Sequence, residues 1–327
     1  MLRTLVVQIP CHNEEATLPG VLADLPSSVP GIQRIIALVI DDGSTDRTAA
    51  VARQLGAEVL RLPTRRGLAR GFLAGLDRAI ELGADVIVNT DGDGQYRGSD
   101  IPALVAPILA GTAELVIGVR PVTEIASFSP LKKVLQWLGS AATRLASATR
   151  VEDAPSGFRA LSRDAAMRMH VFNRYTYTVE TIIQAGHKGM AIATVKVGVN
   201  APTRPSRLAR GMASYILAQV NVLVRVFMTY RPFRFFAIPG ASLAVVGAFL
   251  LLRFLYYYIT EGGQGHIQSV IIGALFFGVG LFLIVIGLVT DLIAVNRQLL
   301  EDVEWRVRRM EARGRHWRET RRMTGPP

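Results

Sequence analysis

The sequence contains a single cysteine, Cys11, in 327 residues, which excludes an internal disulfide framework. Acidic residues are also scarce, because 26 Asp and Glu stand against 37 Lys and Arg, for a formal net charge of +11. Aromatic residues make up only 7% of the chain, and no basic and aromatic platform for nucleic acid accompanies the excess charge. We therefore expect no nucleic-acid partner, and we interpret Cys11 as a packed thiol without chemistry.

Charged side chains are absent from residues 269–290, an apolar run long enough to span a bilayer. At about 1.5 Å per residue, a helix over this run covers roughly 33 Å, against about 30 Å for a hydrocarbon core. A second apolar run, residues 235–259, is interrupted by Arg253, which lies beside Tyr256 and Tyr257 and can extend toward the headgroups. The two runs predict a transmembrane hairpin; a wholly buried soluble hairpin is the alternative.

Lys and Arg are missing from the connector at residues 260–266, whereas Arg231 and Arg234 precede the hairpin and Arg297 and Arg306 follow it. The positive-inside rule then predicts that the N-terminal domain and the C-terminus both face the cytoplasm. The apolar part of the N-terminus is too short for a signal peptide and is typical of a first strand. We expect a multi-pass protein of the cell membrane.

The charge and hydropathy pattern divides the chain into four segments. These are a cytoplasmic domain at 1–203, interfacial amphipathic helices at 204–234, a two-helix transmembrane hairpin at 235–294 and a basic cytoplasmic tail at 295–327. In the second segment, arginines interleave with apolar residues, which favours a helix in the lipid interface over one packed on the globular domain. The tail is interpreted as a charged helix attracted to anionic headgroups. A homo-oligomer formed through these membrane segments is a further expectation.

The first domain alternates strand-like apolar runs with amphipathic stretches of helical length. The runs cover residues 5–9, 35–40, 58–62, 86–89 and 115–118, and a later strand is expected within 191–199. This alternation predicts an α/β fold with a doubly wound, mostly parallel sheet. Helices are predicted over 130–148, 163–170 and 178–186.

Two aspartates separated by one glycine, Asp91 and Asp93, directly follow the apolar strand at 86–89. Ligands in open α/β sheets gather at the carboxyl ends of strands, so these side chains are expected to face a ligand. Two hard oxygen ligands suit Mg²⁺ or Mn²⁺, which keep open positions for substrate phosphates. The alternative interpretation is a solvated turn, since Asp and Gly are ordinary turn residues.

Polar clusters also follow the first and second strands, at residues 10–15 and 41–44. Because the carboxyl ends of parallel strands meet at one edge of a sheet, all three clusters should converge. Carboxylates there can accept hydrogen bonds from a base and a ribose, and a cation can offset the charge of a pyrophosphate. For residues 41–44, a helix N-cap is the simpler alternative.

Four short motifs together resemble family 2 glycosyltransferases of the dolichol-phosphate mannose synthase type. They are Asn13-Glu14-Glu15, Asp41-Asp42-Gly43-Ser44, Asp91-Gly92-Asp93-Gly94-Gln95 and Asp153-Ala154-Pro155-Ser156-Gly157-Phe158-Arg159. The resemblance covers about residues 4–208, and the hairpin is similar to that of members that glycosylate polyprenyl phosphate. It implies a GT-A fold, a nucleotide-sugar donor, a divalent metal and inversion at the anomeric carbon.

Carried over by position, the resemblance implies roles for individual residues on the donor side. The nucleotide-sugar site would comprise Pro10, Asn13, Glu14, Asp41, Asp42, Gly67 and Asp91, and the metal, Mg²⁺ or Mn²⁺, would be held by Asp91, Asp93 and Gln95. His12 stands where the family often has a tyrosine, so a guanine and a uracil donor both stay open. The segment before Gly67 also departs from the family pattern.

A lipid phosphate can approach a donor pyrophosphate only if cations screen the two anions. Arg120, after the fifth predicted strand, is the main candidate, because arginine can bind phosphate through two parallel hydrogen bonds. Supporting candidates for lipid-phosphate binding are Lys132, Lys133, Arg159, Arg204 and Arg207. Each of these charges, taken singly, is equally consistent with an exposed solubilising side chain.

Asp153 stands where the resemblance implies a carboxylate near the acceptor. A phosphate monoester is already ionised near neutral pH, so a strong general base is less necessary than for a sugar hydroxyl. Asp153 therefore has two open roles, as a base or as a residue that positions the acceptor. With Asp93 and Arg120, it completes the set of catalytic candidates.

These observations predict a membrane-anchored, inverting hexosyltransferase. It would move one sugar from a nucleotide-diphosphate sugar, of the GDP-mannose or UDP-glucose type, to polyprenyl or dolichyl phosphate on the cytoplasmic leaflet. The alternatives are transfer to a glycan or a diacylglycerol-type lipid, and a non-catalytic membrane scaffold that retains the GT-A fold.

Overall fold

The computed structural model describes residues 3–121, 144, 149, 151–171, 177–200, 224, 228, 230–262 and 267–323, with side chains up to residue 311. Two compact units are present. The globular unit comprises Met1–Gln219 and Glu301–Pro327, and the helical unit comprises Val220–Leu300. The predicted helix at 130–148 and most of the predicted interfacial segment at 204–234 lie outside the described residues.

A mixed, mostly parallel sheet of seven strands forms the centre of the globular unit. The strands are β1 (Thr4–Cys11), β2 (Arg34–Asp42), β3 (Glu58–Leu62), β4 (Val86–Asn89), β5 (Leu115–Val119), β6 (Arg159–Ser162) and β7 (Ile192–Lys196). Their spatial order is β3-β2-β1-β4-β6-β5-β7, with β6 antiparallel to both β4 and β5. The predicted α/β sheet and its first five strands are confirmed. The short antiparallel strand β6 was not predicted, because its four residues show no apolar alternation.

Helices cover the sheet and connect its strands. In the globular unit they are α1 (Leu18–Ala23), α2 (Thr48–Gln54), α3 (Leu68–Glu81), α4 (Ile101–Leu109), α5 (Arg163–Arg168) and α6 (Thr178–His187). Every residue of β1 from Leu5 to Ile9 is buried, as expected for a central strand with both faces covered. Phe72 and Leu76 of α3 are also buried, and α3 packs against β1 and β2. This packing holds the carboxyl ends of β1, β2 and β4 side by side.

The helical unit contains α7 (Pro232–Glu261) and the first part of α8 (Ile267–Met323). Both helices are long and apolar enough to cross a membrane. They pack closely at glycines, because a Cβ added at Gly240 would lie 2.7 Å from the carbonyl oxygen of Gly280. A Cβ at Gly247 would lie equally close, 2.7 Å, to the carbonyl oxygen of Gly273. These pairings run in opposite directions along the two helices, so α7 and α8 form an antiparallel hairpin, as predicted.

Residues 301–311 of α8 belong to the globular unit and contact its surface. The Nζ atom of Lys188 lies 3.0 Å from Glu301, and Nε2 of His170 lies 3.2 Å from Glu304. Arg308 pairs with Asp77 of α3 at 3.1 Å. This part of the predicted tail therefore packs on protein, and the headgroup interaction stays a prediction for residues beyond 311. The segment boundaries at 203, 234 and 294 also stay predictions.

Candidate active site

Three polar clusters meet at the carboxyl edge of the sheet, where β1 lies between β2 and β4. The first and second clusters contact each other, because the main-chain N–H of Asn13 donates to Ser44 Oγ at 3.0 Å. The first and third clusters are joined by Thr17, whose hydroxyl donates to the carbonyl oxygen of Gly92 at 2.8 Å and to Glu14 Oε2 at 3.0 Å. The convergence predicted from the strand pattern is present.

The loop after β1 holds the predicted nucleotide-sugar residues Pro10, Asn13 and Glu14. Asn13 has a φ of 56°, a left-handed conformation that asparagine tolerates better than most side chains. Its Oδ1 accepts a hydrogen bond from the main-chain N–H of Thr45 at 2.9 Å, which ties this loop to the one after β2. Glu14 is buried, and Pro10 is half-buried near the end of β1. All three lie at the sheet edge.

The loop after β2 is held by its own two aspartates. Asp41 accepts a hydrogen bond from the main-chain N–H of Ser44 at 2.9 Å and lies 3.3 Å from Nε of Arg61. Asp42 accepts hydrogen bonds from the main-chain N–H groups of Arg66, at 2.6 Å, and Gly67, at 2.8 Å. Both carboxylates therefore hold loops in place at this edge, and their predicted contacts with a nucleoside stay predictions.

A glycine is required at position 43 in the same loop. Gly43 has a φ of +65°, and a Cβ there would lie 2.6 Å from the main-chain nitrogen of Arg65. The loop containing residues 64–67 can therefore approach the end of β2 only because no side chain intervenes. This approach brings Gly67, the residue before α3, to Asp42.

Asp91 and Asp93 follow β4 and interact electrostatically. The pKa of Asp91 is raised from 3.8 to about 7, first by burial and then by the nearby charge of Asp93, while Arg120 and Arg159 act in the opposite direction. Asp93 accepts a hydrogen bond from the main-chain N–H of Gln95 at 3.1 Å, which closes a tight turn. Two carboxylates that repel each other in a cleft form a site that favours a cation.

The donor set fits a hard divalent cation. Asp91 and Asp93 offer carboxylate oxygens, the ligands that Mg²⁺ and Mn²⁺ prefer. Burial is the main cause of the raised pKa of Asp91, and a cation would offset the second cause, the repulsion from Asp93. Within the described ranges, no group of three or more His, Cys, Asp and Glu side chains could hold a metal. The role of Gln95 as a ligand stays a prediction.

Arg120 and Asp153, both predicted on the acceptor side, are each other's partners. The Nε of Arg120 donates to Asp153 Oδ2 at 2.8 Å, and its Nη2 donates to Oδ1 at 2.9 Å. The main-chain N–H of Arg120 adds a third hydrogen bond at 3.2 Å. The Asp153 side chain is 2% exposed and that of Arg120 is 14% exposed, so the carboxylate is buried and the arginine keeps some accessible surface.

The other predicted lipid-phosphate residues differ in placement. Arg159 is fully buried, and its guanidinium donates to the carbonyl oxygens of Ser156 and Thr178 while it lies 5.2 Å from the ring centre of Tyr177. Arg159 therefore has no exposed surface for a lipid phosphate, and its charge acts on the site by opposing the rise in the pKa of Asp91. Lys132, Lys133, Arg204 and Arg207 lie outside the described residues.

Sequence reasoning missed a buried polar network under the site. Gln8 of β1 donates to Asn89 Oδ1 at 2.9 Å, and Asn89 Nδ2 donates to Tyr177 at 2.7 Å. Asn89 is a polar residue at the end of an otherwise apolar strand, which is the signal that could have identified it. Glu180 of α6 is also buried, although glutamate side chains are mostly exposed in proteins.

Comparison with known proteins identifies relatives of this chain. The family described as glycosyl transferase family 2 matches residues 6–169. The chain is 30% identical to an undecaprenyl-phosphate mannosyltransferase of Micrococcus luteus over 207 residues, which are 60% of this chain and 83% of the relative. It is 27% identical to a polyprenol monophosphomannose synthase of Mycolicibacterium smegmatis, over 60% of this chain and 76% of that protein.

Solved structures show the same fold. A glucosyl-3-phosphoglycerate synthase from Mycobacterium tuberculosis in complex with Mn²⁺ and uridine-diphosphate-glucose aligns with a TM-score of 0.52 at 26% identity, over 69% of this chain and 78% of that one. A second complex of that enzyme, with Mn²⁺, uridine-diphosphate and glucosyl-3-phosphoglycerate, aligns with a TM-score of 0.55 at 24% identity, over 70% of this chain and 80% of that one. The predicted GT-A type of sheet is confirmed.

Proposed function

Because the chain belongs to glycosyl transferase family 2, we propose that it is an inverting hexosyltransferase that transfers one sugar from a nucleotide-diphosphate sugar to polyprenyl or dolichyl phosphate. The observation that carries this proposal is the pairing of Asp91 and Asp93 at the end of β4, close to the Arg120–Asp153 ion pair. The donor is of the GDP-mannose or UDP-glucose type. The relatives with polyprenyl-phosphate names support the acceptor class.

On the donor side, the loops after β1 and β2 form the nucleoside site. Asp41 holds the main chain of the loop after β2, and Asp42 holds the main chain of residues 66 and 67 beside it. Asp91 and Asp93 would bind a divalent cation, which when present supplies positive charge to the donor pyrophosphate. Mn²⁺ in the structural relative supports a divalent ion, and either Mg²⁺ or Mn²⁺ suits two carboxylates. Gln95 is proposed as an additional ligand.

On the acceptor side, Arg120 contacts the lipid phosphate. Its Nε and Nη2 donate to Asp153. Among the described residues no hydrogen bond uses its Nη1, and in this proposal Nη1 donates to a phosphate oxygen. Asp153 acts as a positioning residue in this proposal, because its oxygens accept the hydrogen bonds of Arg120. An ionised phosphate oxygen needs no base to attack.

The reaction is a single displacement. A phosphate oxygen of the acceptor forms a bond to the anomeric carbon while the bond from that carbon to the donor diphosphate breaks, and the nucleoside diphosphate departs with the electron pair. Arg120 orients the attacking oxygen, and its charge screens the repulsion between the two anions. Attack from the face opposite the leaving group inverts the configuration.

The membrane segments bring the enzyme to its lipid substrate. We propose that α7 and the apolar part of α8 anchor the protein in the cell membrane, with the catalytic domain at 1–203 and the tail at 295–327 in the cytoplasm. Lys132, Lys133, Arg204 and Arg207 would add positive charge for lipid phosphate, and residues 204–234 would lie in the interface. The two apolar helices support the anchoring. A homo-oligomer in the membrane is part of the proposal.

Purified full-length protein in detergent micelles tests the proposal. It is incubated with Mn²⁺, with labelled GDP-mannose, UDP-glucose or UDP-N-acetylglucosamine, and with a short polyprenyl phosphate, a glycan or diacylglycerol. We expect transfer to polyprenyl phosphate that Asp93→Asn abolishes and that Asp302→Asn, at an exposed position in α8, leaves unchanged. Transfer only to the glycan or to diacylglycerol would replace the proposed acceptor, and no turnover of any donor would favour the non-catalytic scaffold.

A further inference from the structure

The peptide group of Gly157 is fixed on both sides by buried side chains. Its N–H donates to the hydroxyl oxygen of Tyr96 at 3.0 Å, and its carbonyl oxygen accepts from Asn89 Nδ2 at 2.9 Å and from the hydroxyl of Tyr177 at 3.3 Å. Asn89 in turn is held by Gln8, which donates to Asn89 Oδ1 at 2.9 Å. Hydrogen bonds of this kind in a buried network restrict a loop to one position.

Gly157 forms one wall of the space occupied by the carboxylate of Asp91. A Cβ built on Gly157 would lie 3.1 Å from both carboxylate oxygens of Asp91 and 3.1 Å from the hydroxyl oxygen of Tyr177. The carboxylate therefore lies close against Gly157, and a larger residue there would push Asp91 or Tyr177 by a few tenths of an ångström. Asp91 follows Asn89 by two residues in the chain. The same short segment therefore holds Gly157 through Asn89 and carries the Asp91 carboxylate that lies against Gly157.

We propose that Asn89, Tyr96 and Tyr177 are positioning residues that act through Gly157 to hold the Asp91 carboxylate in the orientation that binds a divalent cation. This inference rests on the proposed function and extends it to side chains that touch neither donor nor acceptor. Groups that orient metal ligands through hydrogen bonds typically change metal affinity or activity by about 10- to 100-fold when they are removed.

The hydroxyl of Tyr177 can be separated from the packing of its ring. The ring stacks on Phe72 with ring centres 3.9 Å apart and an angle of 3° between the planes, and phenylalanine at position 177 preserves this stacking. Tyr177→Phe therefore removes the hydrogen bonds to Asn89 and Gly157 and little else. A role limited to core packing would leave metal binding unchanged in this variant.

The test measures Mn²⁺ binding to the full-length protein by the electron paramagnetic resonance signal of free Mn²⁺, with UDP and, separately, with GDP present. We expect Tyr177→Phe to weaken Mn²⁺ binding roughly 10-fold, while the thermal unfolding midpoint falls by a few degrees at most. Gly157→Ala, which places a methyl group against Asp91, should weaken binding at least as much. Tyr258→Phe makes the same chemical change at an exposed position in α7 and should bind Mn²⁺ like the wild type.

Wild-type Mn²⁺ affinity in either Tyr177→Phe or Gly157→Ala would overturn the inference. If Tyr177→Phe does not fold, Tyr96→Phe replaces it, because that variant removes the hydroxyl that accepts from the Gly157 N–H and keeps a ring to stack on Phe158. Wild-type Mn²⁺ affinity in Tyr96→Phe would likewise overturn the inference. If the wild-type protein binds Mn²⁺ but transfers no sugar, the proposed function is refuted, whereas the inference about the positioning residues is not. Failure of the proposed function and failure of this inference therefore give different results.

Discussion

Asp91→Asn should stabilise the metal-free protein at neutral and higher pH, although it removes a proposed metal ligand. In the folded protein the pKa of Asp91 is about 7, against an ordinary value of 3.8, so between these pH values the folded state holds a proton that the unfolded state has lost. Stability conferred by the wild-type side chain is therefore greatest below about pH 4 and is lost as the pH rises toward about 7. Asparagine has no ionisable group, so the stability of Asp91→Asn does not fall in this way as the pH rises.

The magnitude follows from the shift in the pKa of Asp91. A pKa raised from 3.8 to about 7 corresponds to about 4 kcal/mol, which is an upper bound because Asp91 is only half-buried. With solvent screening, we expect on the order of 2 kcal/mol above pH 7. For a unit of this size, that energy raises the unfolding midpoint of the variant by roughly 4–8 °C over the wild type.

Thermal unfolding in detergent, followed by intrinsic fluorescence at intervals from about pH 5 to about pH 8, measures this effect in the presence of a chelator. The difference between Asp91→Asn and wild type should grow with pH, and added Mn²⁺ should raise only the wild-type midpoint. Asp302→Asn serves as the matched control and should follow the wild type throughout. Equal pH dependence of Asp91→Asn and wild type would refute the assignment of a raised pKa to Asp91.

Two further substitutions test the acceptor site and the hairpin. Arg120→Lys removes the guanidinium group that makes two parallel hydrogen bonds with Asp153. In steady-state kinetics, kcat/KM for polyprenyl phosphate should therefore fall roughly 10- to 100-fold. An unchanged kcat/KM would contradict the role of Arg120. Gly247→Leu forces α7 and α8 apart and should cost about 1–3 kcal/mol, measured as a lower unfolding midpoint. Gly278→Leu, at a position with nothing within 4 Å of an added Cβ, is its control, and equal midpoints for the two variants would contradict the close packing.

The features that could be predicted from the sequence are local ones. The sequence predicted five strands and the aspartates that follow them, because a buried strand and the side chains at its end are consecutive in the chain. The strand β4 and Asp91 are an example. The two apolar helices were readable for the same reason, since length and lack of charge decide whether a helix can cross a bilayer. These features were sufficient to predict the sheet, the two long apolar helices and the sheet edge where the three polar clusters meet.

Only the tertiary structure decided which charges meet and which are buried. An arginine looks the same in the sequence whether it lies at the cleft, as Arg120 does, or fully inside the protein, as Arg159 does. The partner of Arg120 is 33 residues away, and Tyr177 reaches Asn89 across 88 residues, so no spacing rule connects them. The physical reason is that burial and hydrogen bonding depend on how distant segments pack, and that packing exists only once the sheet and its helices have formed.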